Sequence, residues 1–199
     1  MHEVRPLSRD EITAHLGDVA ALRIAVFRDW PYLYDGNLDH ERQYVASYRD
    51  HPGALLVAAF DTGRLIGAST STPLEDQSPA IVAALRAVGL RAEQVLWGPE
   101  SALLAPYRGK GIGHRFFDHR EAHARAMDRS HVAFASILRR EDHPARPANA
   151  RSNDAFWQGR GYAPLPGARV EFGWKDVGDA SESLKTLQIW LKALPPLSA

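Results

Sequence analysis

The sequence predicts an α/β (α+β) chain: a mixed, mostly antiparallel central sheet with one parallel β-α-β crossover and helices on both faces. Three observations carry that expectation. Paired apolar segments with short turn-forming links, at 54–60 and 64–72 and again at 169–174 and 184–192, read as antiparallel hairpins. Between them an extended segment, the clearest amphipathic helix and another extended segment follow in order, the pattern of a right-handed crossover between parallel strands. At 199 residues, 45% of them hydrophobic, the chain is long enough for one domain spanning residues 1–199. A chain of that size buries roughly 70% of the surface its unfolded form exposes.

Taken in order, Glu3 to Leu7 reads as a short first strand. Ile12 to Phe27 carries a rough helical stripe (Ile12, Leu16, Val19, Ala20, Ile24, Phe27) and ends before Trp30-Pro31. Leu38 to Tyr48 is a second helix with Asn37 as its cap. Ala54 to Phe60 and Arg64 to Thr72 are strands around the turn Asp61-Thr62-Gly63. Gln77 to Val88 reads as a helix inserted before Gly89. Val95 to Leu104 is extended, with Gly98-Pro99 marking a break or bulge. Gly111 to Met127 is helical, His131 to Leu138 a strand, and Arg139 to Arg151 a loop bearing proline and arginine. Asn153 to Gln158 is a short helix stopped by Gly159 and Gly161, and the strands Arg169–Trp174 and Leu184–Lys192 close the chain.

Composition removes several classes. With no cysteine there is no disulfide framework, no thiol nucleophile and no cysteine-ligated zinc. Basic and acidic residues balance at 24 each, which argues against nonspecific adhesion to nucleic acid. No apolar run is long enough for a bilayer, and MHEVRPLSRDE lacks the build of a signal peptide. The expectation is a cytoplasmic protein with neither nucleic acid nor membrane as partner. The charge balance is uneven along the chain, however. From Arg108 to Arg151 ten basic residues face five acidic ones, which is either solvated surface or a site for a small polyanion.

That block opens with Leu103-Leu104-Ala105-Pro106-Tyr107-Arg108-Gly109-Lys110-Gly111-Ile112-Gly113-His114, a strand, a turn with glycines at alternate positions, and a helix. The first turn of a helix has free backbone N–H groups and the positive end of the dipole, a ready anion site. Glycine lets phosphate oxygens approach the main chain and permits positive φ. A plain strand-to-helix turn needs the same glycines, so both readings stand. The Walker loop fails because Lys110 is followed by glycine, and the dinucleotide fingerprint fails because its last glycine falls on His114 or Phe116.

The stretch Arg108-x-x-Gly111-x-Gly113 resembles the acetyl-CoA signature of the GNAT acetyltransferases, Arg/Gln-x-x-Gly-x-Gly/Ala. Asn153-Asp154-Ala155-Phe156-Trp157 with Gly161-Tyr162 is similar to that family's second block, and the element order is GNAT-like throughout. The resemblance implies acetyl-CoA as cosubstrate, with the diphosphate on the main chain of Arg108, Gly109, Lys110, Gly111, Ile112, Gly113 and His114. It implies the pantetheine arm along Leu103 and Leu104, and Asn153 and Trp157 on the cofactor side. It also implies a thioester held where two parallel strands splay, opened by a bulge at Gly98-Pro99, with a backbone N–H for the oxyanion. The acceptor would be the amine of a small molecule or peptide. Glu100 is the candidate base, with an ion pair to a neighbouring arginine as its other reading, and Glu93 is second choice; Ser101 is the other catalytic candidate, on the face opposite Glu100 in a regular strand unless the bulge changes that. Many members carry a tyrosine where this chain has Trp157, whose indole N–H is no acid, so the proton donor is unassigned. That substitution motivates the alternative of an acyl-CoA-binding regulatory module with weak or no turnover.

The remaining candidates have plainer readings beside the functional ones. His119 and His123 stand four apart, the spacing of zinc ligands, but border an apolar stripe and lack a third ligand, so no metal is expected. Asp142-His143 is an acid–base pair or surface loop. Trp30, Tyr32 and Tyr34 line the acceptor site or simply pack. Asp35, Asp39 and Glu41 attract a cationic amine or are solvated charges. Trp174 and Trp190 serve the core or a homodimer contact.

Overall fold

In the computed structural model, which describes residues 2–195, the expected hairpin over 54–72 becomes two adjacent strands of a seven-stranded sheet. The strands are β1 (Glu3–Pro6), β2 (Leu55–Asp61), β3 (Arg64–Pro73), β4 (Val95–Leu103), β5 (His131–Ile137), β6 (Ala163–Trp174) and β7 (Ser183–Ala193), in spatial order β1-β2-β3-β4-β5-β7-β6. Only β4 and β5 run parallel, and every other neighbouring pair is antiparallel. The helices are α1 (Arg9–Ala14), α2 (Leu16–Phe27), α3 (Leu38–Asp50), α4 (Pro79–Arg86), α5 (Ile112–Ala126) and α6 (Asp154–Gly159).

The period-two alternation of the strands sorts the core between two faces. Leu56, Ala58 and Phe60 of β2 pack with Val19, Leu22 and Val45 of α2 and α3, while Val95 and Trp97 of β4 pack with Ile81 and Leu85 of α4. On the other face Val57 and Ile66 meet Ile112 and Phe116 of α5, and Leu96, Val132 and Phe134 meet Phe117. Helices α1 to α4 therefore cover one face, and α5 and α6 the other.

Three boundaries depart from expectation. The single helix over 12–27 divides at His15, whose backbone (φ −103°, ψ 11°) leaves the helical region. Its first part starts early because Ser8 and Glu11 form a capping box, each side chain bonding the other's backbone N–H. The inserted helix begins at Pro79, where a missing N–H costs nothing, rather than at Gln77. Strand β6 starts six residues before Arg169, and its register against β7 slips between Pro164 and Arg169. Proline at 164 and 166 and glycine at 167 hid that part from a reading by alternation.

The bulge expected at Gly98-Pro99 is present and has a consequence for side-chain direction. Trp97 pairs with Thr72 and Glu100 with Thr70, so β4 uses three steps where β3 uses two. Without the extra residue Glu100 would share the α5 face with Leu96. With it, Glu100 and Ala102 turn toward α2 and α3, and Ser101 turns toward α5.

Candidate active site

Between Leu104 and Gly111 the chain makes a short 3₁₀ turn at Ala105–Tyr107, then passes through Gly109 (φ 74°) and Gly111 (φ 81°) before α5 begins. A Cβ at either glycine would touch nothing within 4 Å, so these residues are required for backbone conformation and not for space. The first bond inside α5 runs from the Arg115 N–H to the Gly111 carbonyl at 3.3 Å, and no side chain caps the helix. The N–H groups of Ile112, Gly113 and His114 therefore have no partner within the helix, and the helix dipole adds to their positive potential. The Ile112 side chain is buried with Val57 and Phe116, so only its main chain can serve a ligand. Lys110 is exposed, its ammonium 5.1 Å from the centre of the Tyr107 ring.

From this loop a cleft of about 890 Å³ opens between two interior strands of the sheet, lined by Arg108, Gly109, Gly113, His114, Phe156 and Trp157 at one end and by Trp30, Pro31 and Tyr32 at the other. Its cause is the splay of β4 from β5. The parallel ladder holds Val95, Leu96 and Trp97 against His131, Val132 and Ala133 and stops where the bulge begins. Beyond it, Gly98, Pro99, Glu100, Ser101 and Leu103 form one wall and Phe134 to Leu138 the other. The Leu104 N–H is spent on the Ile66 carbonyl of β3 at 3.0 Å, so it is not free to pair with a pantetheine arm, a correction to the expected pair. By alternation Leu103 faces the open side, and its carbonyl accepts from Arg108 Nε at 3.2 Å.

Glu100 sits on the α2–α3 side of that wall and is held from three directions. Its carboxylate pairs with Arg23 of α2, accepts from Thr70 Oγ1 at 3.2 Å, and accepts from the Tyr44 hydroxyl at 3.4 Å. Arg23 also bonds Glu41, which takes the Tyr34 hydroxyl at 2.8 Å. Burial alone would pull the Arg23 pKa down, and the Glu100 and Glu41 charges more than reverse it, so Arg23 stays a cation. One guanidinium between two carboxylates leaves this pocket with an excess negative charge. Burial beside Glu100 pushes the Tyr32 hydroxyl up to about 12 and raises the Tyr44 hydroxyl well above its ordinary value.

Ser101 shares the opposite face with Ser69, their hydroxyls 2.9 Å apart. Arg120 of α5 reaches both, its Nη2 donating to Ser69 Oγ at 2.8 Å and to Ser101 Oγ at 3.1 Å. Glu100 and Ser101, paired with Thr70 and Ser69 in turn just past the bulge, thus stand on opposite sides of the strand.

The α6 segment closes the α5 end. Asn153 precedes α6, lines the cleft, and makes no side-chain cap. The Tyr162 N–H returns to the Trp157 carbonyl at 3.0 Å across Gly161 (φ 83°), a glycine-terminated helix end. Trp157 packs on Phe134 and Trp190, ring centres 5.1 and 5.0 Å away. Trp190 is core, and Trp174 packs near Tyr32 and donates to its carbonyl at 3.1 Å. Of the acidic residues considered for a cationic ligand, Glu41 is buried on Arg23, and Asp35 pairs with Lys175 and Arg28. The rings of His119 and His123 contact the Val4 and Gly53 carbonyls at 3.3 and 3.0 Å, and Glu93 lies in the 3₁₀ turn at Ala92–Gln94 before β4, outside the cleft lining.

Arg23, Tyr44, Arg120 and Arg139 are site residues that sequence reading missed. Arg120 stands three and four residues from Phe117 and Phe116, and Arg23 one and four residues from Leu22 and Val19; a charge inside a buried stripe was the available signal.

The model for the Acetyltransferase (GNAT) family matches residues 20–148. By sequence the chain has no significant match among curated proteins. Among solved structures it is similar to an aminoglycoside 6'-N-acetyltransferase complexed with coenzyme A, at TM-score 0.63 and 14% identity over 99% of each chain. It is similar to the ribosomal-protein-alanine N-acetyltransferase of Brucella melitensis, at TM-score 0.61 and 14% identity over 96% of this chain and 99% of that one. It also resembles yncA of Salmonella typhimurium with its cofactor acetyl-CoA, at TM-score 0.60 and 10% identity over 100% of this chain and 96% of that one.

Proposed function

Because the chain belongs to the GNAT acetyltransferase family, we propose that it moves an acetyl group from acetyl-CoA to a primary amine by direct attack, with both substrates bound together. The observation that carries this reading is the pair of features at the two ends of one cleft: unspent amides at the start of α5, and Glu100 beyond the β4–β5 splay. The amides of Ile112, Gly113 and His114, with Arg108 and Lys110 beside them, suit a diphosphate. The main chain of Ser101 and the Leu103 N–H, on the unpaired side of β4, suit the amides of a pantetheine arm, and Asn153 and Trp157 would border it.

In the reaction the amine nitrogen attacks the thioester carbonyl carbon. The N–C bond forms, the C–S bond breaks, and the pair from that bond leaves with sulfur as thiolate. Glu100 accepts the proton that an arriving ammonium must lose before it attacks, directly or through a water; the second nitrogen proton, acidic once the N–C bond has formed, leaves to solvent, from which the thiolate takes its own. The excess negative charge around Glu100 and Glu41 favours an acceptor that arrives as an ammonium. Trp30, Pro31 and Tyr32 would shape the acceptor end for a small molecule or a peptide terminus. The same reading takes the chain as one cytoplasmic catalytic domain; no helix among the described residues is long and apolar enough to cross a membrane.

Calorimetry with coenzyme A, followed by thiol release from acetyl-CoA across a panel of amines, tests the proposal. Binding together with amine-dependent release is expected. Absence of binding would overturn it, and binding without release by any amine would favour the regulatory-module reading.

A further inference from the structure

Arg120 is among the least exposed charged side chains of the molecule, at 2%, and it forms no ion pair among the described residues. The two carboxylates nearest it in charge are taken elsewhere: Glu100 pairs with Arg23, and Glu121 with Arg160 and Lys192. A buried cation without an anion is costly, so the surrounding oxygens must hold it. They do so through one nitrogen only. Nη2 donates to Ser69 Oγ at 2.8 Å, the Thr70 carbonyl at 3.2 Å, the Glu100 carbonyl at 2.8 Å and Ser101 Oγ at 3.1 Å. Nε is buried without a partner, and Nη1 takes no protein acceptor among the described residues.

The guanidinium packs against the bulge at Gly98. A Cβ on Gly98 would come within 2.5 Å of Arg120 Cζ and Nε, so glycine there makes room for the cation as well as for the bulge. Arg120 and Gly98 both line the cleft where β4 leaves β5. Along α5, Arg120 is eight residues from Ile112, roughly 12 Å of helix, a span that a pantetheine arm covers from its diphosphate.

We propose that Arg120 is a catalytic residue of acetyl transfer, its Nη1 donor stabilising the negative charge that develops on the thioester oxygen. This rests on the acetyl-transfer reading above. As the N–C bond forms, the carbonyl π pair moves onto oxygen, and it returns as the C–S bond breaks; Arg120 gives up no proton. A cation fixed by its bonds to the strand oxygens acts on that charge with little reorganisation at the moment of reaction, and it strengthens whatever a backbone amide supplies. Burial lowers the Arg120 pKa from its usual value, Tyr162 and Glu100 opposing, and a guanidinium remains charged at neutral pH.

The test begins with the unmodified protein, crystallised with the ketone analogue of acetyl-CoA in which sulfur is replaced by methylene. The ketone oxygen is expected within about 3.2 Å of Arg120 Nη1; an oxygen beyond about 3.6 Å from it overturns the inference. R120K and R120Q are then compared. Both should bind coenzyme A as the parent does, with kcat lowered on the order of 10²-fold and less so in R120K, which keeps the charge. The infrared carbonyl band of bound acetyl-CoA should rise toward its solution value in R120Q. Unchanged kcat and an unchanged carbonyl band in R120Q would also overturn the inference. Failure of the parent to bind coenzyme A would remove the acetyl-transfer reading itself, a separate result.

Discussion

Arg139 holds Asp176 in a two-pronged pair, Nη1 to Oδ2 at 2.7 Å and Nη2 to Oδ1 at 3.0 Å. The same guanidinium donates to the Pro31 and Tyr32 carbonyls at 2.8 and 2.7 Å, and Lys185 Nζ adds a contact to Asp176 at 3.3 Å. The end of β5, the segment after α2 and the β6–β7 turn are thereby fastened at the acceptor end of the cleft.

Asp176→Asn should leave two buried cations facing a neutral amide, at a cost of roughly 3–5 kcal/mol at pH 7. The pH dependence has a definite sign. Burial would raise the Asp176 pKa, but the Arg139 hydrogen bond and the charges of Arg139 and Lys185 bring it below 3.8. A depressed carboxylate stabilises the fold above its unfolded pKa and stops doing so as pH falls through the folded one. The melting-temperature gap between the parent and Asp176→Asn should therefore be full at neutral pH and shrink once pH drops below 3.8. A gap that is constant with pH would show that the charge is not what matters. The variant should also raise KM for the amine more than for acetyl-CoA, because the fastened segments carry Pro31 and Tyr32.

Glu100→Gln keeps the size of the side chain and a bond to Thr70 but cannot take a proton. Turnover should fall by about 10²- to 10⁴-fold while the affinity for coenzyme A holds. Arg23 retains Glu41 in this variant, so the pocket is not left with an unpaired cation. Equal turnover in Glu100→Gln would remove Glu100 from the chemistry and leave it as the structural partner of Arg23.

The glycine loop separates conformation from access. Gly111 has φ 81°, so Gly111→Ala should cost roughly 1–2 kcal/mol and weaken coenzyme A binding with it. Gly113 lies inside the helix, where alanine is favoured by up to about 1 kcal/mol, and its new Cβ would sit 3.4 Å from Phe156 Cζ, an ordinary contact. Gly113→Ala should thus hold or raise the melting temperature and yet weaken coenzyme A binding, because a methyl group stands over the free amides. Loss of stability with unchanged binding would contradict an anion on this loop.

Much of this architecture could be read from residue order. The apolar runs 54–60 and 64–72 around Asp61-Thr62-Gly63 placed a hairpin, and three glycines between a strand and a helix placed the turn into α5. Gly98-Pro99 placed the bulge, but its effect on Glu100 depends on which strand pairs on the other side, and one sequence does not state the register. The same limit hid Arg23 and Arg120. Each occupies a helix position that reads as core, and each becomes intelligible only when the strand oxygens opposite it are known. Leu104 was misassigned for a similar reason: its side chain fits the strand, while its amide is spent on Ile66 of a strand far off in the chain.

Trp157 provides a last test, because it stands where relatives of this fold often carry a tyrosine. Its ring is packed on Phe134 and Trp190, and its indole N–H makes no bond to protein among the described residues. An indole is no acid at neutral pH, and a thiol of pKa about 8.5 leaves readily as thiolate. Trp157→Phe should therefore keep kcat close to that of the parent, and Trp157→Tyr should not raise it, in steady-state assays that follow thiol release. A large fall in Trp157→Phe with coenzyme A binding intact would mean that the indole N–H takes part in expelling the thiolate. A large gain in Trp157→Tyr would mean that proton delivery to sulfur limits the rate.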